Sequence, residues 1–110
     1  MLEALWSVVF ISNSNVFGSG VVILETCRVL GGDAQYFYVG NYSVNNETVN
    51  ATVTITQYFG SHNSVIGDTG SATFQLSGNY SHDKFELIGY DVGNPSKKRF
   101  FGNLNGKKKA

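Results

Sequence analysis

Between Thr48 and Thr56, Val49, Ala51, Val53 and Ile55 alternate with threonine and asparagine. Successive side chains of an extended chain point to opposite faces, so this segment is expected to form a strand with one dry and one wet side. Ala72, Phe74 and Leu76 against Thr73, Gln75 and Ser77 repeat the pattern, as do Phe85 and Leu87 against Lys84 and Glu86. Tyr36, Tyr38, Tyr42 and Val44 fall on one face of a further strand, with Phe37 and Val39 on the other. A last strand is expected from Arg99 to Leu104. No segment carries the i, i+3, i+4 apolar spacing of a long helix.

Two segments depart from alternation. Trp6 to Ile11 and Val21 to Leu24 are apolar on both faces. In a single-layer sheet only one face points to the core, so something must cover the other. A symmetric second copy is the commonest cover. Val9, Ile11, Val22 and Leu24 are therefore the protein-interface candidates, and a homodimer is expected.

Turn chemistry separates the strands at hairpin spacing. Gly31-Gly32-Asp33, Asn45-Asn46, Gly78-Asn79 and Gly93-Asn94-Pro95 suit tight reversal, the glycines by positive φ and Asp33 by accepting backbone hydrogen bonds. Gly31, Gly32 and Asp33 are accordingly read as a structural turn. Gly18-Ser19-Gly20 precedes a strand and not a helix, so it forms no phosphate cradle and reads as another turn. The longest loop is expected from Gly60 to Ser71. These elements predict an all-β fold, an antiparallel up-and-down sheet or barrel of about eight strands.

A chain of 110 residues holds one core, so one domain is expected over 1–105 with a basic tail at 106–110. The single cysteine, Cys27, excludes an intrachain disulfide and suits a reducing compartment. The apolar run at residues 4 to 11 is short and preceded by Glu3, so neither a signal peptide nor a membrane span is expected, and the location is expected to be cytoplasmic. The formal net charge of zero hides an uneven distribution: residues 1 to 96 carry two basic and eight acidic groups, and residues 97 to 110 six basic groups. An acidic body repels nucleic acid and attracts a basic protein. Lys107, Lys108 and Lys109 read as a solvated end, with no nucleic acid or membrane partner expected.

Candidate chemistry is sparse. His62, His82, Cys27, Asp33, Asp68 and Asp83 are the groups from which an active site would be built. Both histidines lie in turn-like polar stretches, without metal-ligand spacing. Cys27 reads as a small strand residue. No enzyme activity, metal or cofactor is expected. The sequons at Asn41, Asn46, Asn50 and Asn79 follow from composition.

The chain resembles the GrlR family of small cytoplasmic proteins, whose namesake is a bacterial negative regulator of type III secretion genes. The resemblance covers most of the chain: Leu5 to Phe10, Gly18 to Val22, Gly31-Gly32-Asp33, Tyr36 to Tyr42, the strand after Thr48, Ser64 to Gly67, and Phe74 to Gly78. It implies a lipocalin-like eight-stranded barrel that forms a homodimer and acts by binding a protein such as a basic transcriptional activator. The family's acidic turn falls near Asn45, Asn46 and Glu47, the partner-loop candidates, where this chain keeps one carboxylate. An alternative is a lipocalin-like binder of a small apolar ligand within the barrel. Trp6 resembles the lipocalin tryptophan, with Ala4 at the customary glycine position, while Phe74, Phe85, Leu76 and Ile55 are large enough to fill the interior.

Overall fold

The computed structural model describes residues 3–12, 15–59, 71–92 and 99–110. They form eight strands, β1 (Ala4–Ser12), β2 (Asn15–Glu25), β3 (Arg28–Gly32), β4 (Tyr36–Asn45), β5 (Thr48–Gln57), β6 (Ser71–Tyr80), β7 (Lys84–Asp91) and β8 (Arg99–Lys108). Each pairs antiparallel with the next, and β8 returns to pair with β1, from Trp6 opposite Lys108 to Ile11 opposite Asn103. The sheet closes into an up-and-down barrel, an architecture shared with the lipocalins, in which the short β3 pairs only with Val21 to Glu25 of β2. Among the described residues no helix is long and apolar enough to cross a membrane.

The alternation along the strands becomes the inside and outside of the barrel. Val49, Ala51, Val53 and Ile55 of β5, Phe74 and Leu76 of β6, and Phe85 and Leu87 of β7 all point to the core. Trp6 is fully buried and its ring lies 4.9 Å, centroid to centroid, from that of Phe85. Outside, the wet face of β5 pairs off with that of β6: Thr52 donates to Gln75 at 2.8 Å, and the Thr54 and Thr73 hydroxyls lie 2.9 Å apart.

Several turns differ from their sequence reading. Gly31 and Gly32 close β3 without left-handed φ; a Cβ on Gly31 would overlap the Val21 carbonyl of β2, and one on Gly32 would lie 2.8 Å from the Tyr36 carbonyl oxygen. Close backbone approach, and not turn conformation, demands these glycines. Gly18, Ser19 and Gly20 lie within β2, and Gly78 and Asn79 within β6, where a Cβ on Gly78 would overlap the Glu86 carbonyl. The left-handed positions go to residues with side chains: Thr26 (φ 52°) and Cys27 (φ 63°) form the two-residue connection from β2 to β3, and Asn46 (φ 59°) begins the one from β4 to β5. Cys27 is thus an exposed turn residue rather than a strand residue.

The basic end is not a tail. Lys107 and Lys108 belong to β8, the Lys108 amide donates to the Asp83 carbonyl (2.8 Å), and the Lys109 amide donates to that of Leu5 (2.8 Å). The expected boundary at 105/106 is therefore crossed by a continuous strand. Its lysines come back to the same end of the barrel as Glu3, Glu25, Glu47 and Asp83, so charge does not divide into an acidic body and a basic end. The reading of Gly93-Asn94-Pro95 as a turn lies outside the described residues, as does that of Gly60 to Ser71 as the long loop, save for Ser71 itself, which begins β6.

Candidate functional site

Interior, chemical groups and outer wall offer three places for function. Among the described residues the interior shows cavities of about 30 Å³, walled by apolar side chains such as Val22, Val53 and Leu76. Small-molecule sites are typically about 300–1,000 Å³. The inward aromatic and aliphatic side chains fill the space that an apolar ligand would need, so among the described residues the barrel is packed rather than hollow.

Among the described residues the titratable candidates do not converge. Cys27 and Asp33 sit at opposite ends of β3. His82 and Asp83 are exposed neighbours in the connection from β6 to β7, and His62 and Asp68 lie outside the described residues. Among the described residues no three His, Cys, Asp or Glu side chains are placed to hold a metal ion.

Asp33 instead organises the connection from β3 to β4. One carboxylate oxygen accepts from the amides of Gln35 and Tyr36, both at 2.8 Å, and the other accepts from the Tyr38 hydroxyl. The Tyr58 hydroxyl donates to the Asp33 carbonyl at 2.7 Å. Burial, then the hydrogen bond and the negative charge of Asp33, push the Tyr38 hydroxyl well above the usual tyrosine range. Burial, followed by the charges of Cys27 and Glu3, raises Tyr42 as well. Asp33 thus acts as the structural acceptor expected from sequence, with an additional role for Tyr38 that the sequence did not signal.

The outer wall of β1 to β4 carries the distinctive surface. Along β2, Val22 and Leu24 are only 4% and 6% exposed, facing the core, whereas Val21 and Ile23 are 49% and 46% exposed. The interface assignment to Val22 and Leu24 is therefore corrected by one residue; when both faces are apolar, periodicity cannot say which points inward. Val9 and Ile11 are half-buried. Across the strands, Leu5, Ile23, Leu30 and Val39 stand opposite one another in a continuous row, and Val39 is 46% exposed. Phe37, on the same wall, is exposed beside the Tyr58 ring, with centroids 6.4 Å apart. Asn45, Asn46 and Glu47 are all exposed at the connection from β4 to β5.

No protein-family model and no curated protein matches the chain. The outer wall itself is thus the basis for a functional reading.

Proposed function

We propose that this protein is a non-enzymatic binding protein of the GrlR kind, working in the cytoplasm as a homodimer and acting on a protein partner through its outer surface. The observation that carries the reading is the apolar row Leu5, Ile23, Leu30 and Val39, together with Val21 and Phe37, on the outside of a barrel whose inside is packed. Exposed apolar groups that adjoin one another across several strands favour association, whereas the same groups scattered singly do not. Ile23, Leu30 and Val39 lie on strands paired on both sides at those positions, so their side chains, and not a backbone edge, make the contact. Covering a half-exposed valine or isoleucine contributes about 1 kcal/mol.

The Asn45-Asn46-Glu47 connection supports the choice of a protein partner. It is exposed, with Asn46 in the left-handed region, and it presents Glu47 at the barrel end where Glu25 and Asp83 stand among Lys84, Lys107 and Lys108. These carboxylates suit basic groups of a partner such as a transcriptional activator, while the apolar wall serves the second copy. Co-purification from the native host, compared between the wild type and a Glu47→Lys variant, tests the partner reading. A partner captured by the first and lost by the second is expected; identical recoveries contradict it.

A further inference from the structure

A groove of about 530 Å³ lies on the other half of the barrel, over β6, β7 and β8. Its outward lining is Ser77 and Asn79 of β6, Glu86 and Ile88 of β7, and Asn103 and Asn105 of β8. Asn79, Glu86 and Asn105 form one row across the strands, and Ser77, Ile88 and Asn103 the next. On neighbouring β5 and β6 the outward Thr52, Gln75, Thr54 and Thr73 pair with one another. Among the described residues the side chains of Asn79, Glu86, Asn103 and Asn105 make no such bonds, and they leave three amides and a carboxylate available to a ligand.

An independent feature marks one end of the groove. Lys84 lines it, and Lys107 stands directly opposite Lys84 in the pairing of β7 with β8; both are exposed, and neither has a carboxylate partner among the described residues. Like charges facing each other across a strand pair are destabilising, and an anion between them reverses the sign. Farther along β7, Ile88 and Tyr90 are exposed on the same face as Glu86.

We propose that this groove binds a linear oligosaccharide bearing uronate carboxylates. A carboxylate sits between Lys84 and Lys107. The amides of Asn79, Asn103 and Asn105 each offer a donor and an acceptor, which matches the pairs of adjacent hydroxyls on a sugar ring, and Glu86 accepts from a hydroxyl. Ile88, which lines the groove, covers the less polar side of the ring. An extended peptide fits less well, because β6, β7 and β8 are paired on both sides along the groove and the lining is amide-rich. This site is separate from the apolar wall of β1 to β4, so it stands or falls without the dimer.

Isothermal titration of the full chain with trigalacturonate, a mannuronate trimer and a hyaluronan tetrasaccharide tests the assignment, with maltotriose as the neutral counterpart. At least one uronate is expected to bind while maltotriose does not, and Lys84→Gln, Lys107→Gln and Asn103→Ala are each expected to weaken it about tenfold, a loss of about 1.4 kcal/mol. Because these positions are exposed, unchanged Trp6 fluorescence will show that the variants remain folded. No binding by any of the three acidic sugars, equal binding of maltotriose, or lysine variants as tight as wild type would each overturn the proposal.

Discussion

Gly20 lies beneath the hydroxyl of Tyr38: a Cβ added there would be 2.7 Å from Tyr38 Oη and 3.3 Å from Asp33 Cβ. The close approach of β2 leaves room for the Tyr38 to Asp33 hydrogen bond, and the bond in turn ties β4 to the connection that precedes it. Gly20→Ala is expected to displace the Tyr38 hydroxyl, and Tyr38→Phe to remove it. A hydrogen bond to a charged group contributes about 1.5–3 kcal/mol. Urea unfolding should show losses in that range for both variants; wild-type midpoints would mean the bond is not formed.

The same tyrosine sets a pH limit. Its folded-state pKa is raised above the ordinary value of 10.0, so its contribution is complete below pH 10.0 and is lost as the pH rises beyond it, where the unfolded chain ionises and the folded one resists. The slope reaches about 1.4 kcal/mol per pH unit for one such group. Tyr42 is shifted in the same direction. Unfolding midpoints at pH 8, 10 and 11 should fall only over the upper interval, and less steeply in Tyr38→Phe. A decline of equal steepness in both proteins would assign the effect elsewhere.

Gly106 faces the ring of Phe85, which an added Cβ would overlap. That ring is buried against Trp6 and cannot easily yield. Gly106→Ala should therefore cost about 1–3 kcal/mol, the usual range for overpacking, and alter Trp6 fluorescence. Gly18→Ala, with no atom within 4 Å of the added carbon, is the matched control and should change little.

The connection Thr26-Cys27 holds two side-chain-bearing residues at positive φ, in a place that Asn-Gly fills with less strain. Replacing the pair by Asn-Gly is expected to stabilise the barrel by about 1–2 kcal/mol, seen as a higher urea midpoint. A lower midpoint would show that these two side chains make contributions beyond the turn.

The strands were legible where one face is wet. The threonines of β5 and the Lys84 and Glu86 of β7 reveal which side is dry, and the barrel follows from the number and spacing of such segments. Val21 to Leu24 lacks that contrast, so its inward pair was assigned to the wrong face. The turn at Thr26-Cys27 carries none of the residues that announce a tight reversal, while Gly31 and Gly78 announce one where the chain instead passes close to a neighbouring strand. Such contacts link residues distant in sequence, which local pattern does not reach. The groove over β6 to β8 escaped notice for the same reason, since Glu86 meets Asn79 and Asn105 only once the barrel closes.

The central claim is association through the outer wall of β1 to β4, and sedimentation velocity at tens of micromolar protein tests it most directly. The wild type should sediment as a dimer of the 12.0 kDa chain, and the double variant Val21→Asp, Ile23→Asp, whose changed side chains point away from the core, as a folded monomer. A wild type of monomeric mass, or a variant that remains dimeric, would contradict the account.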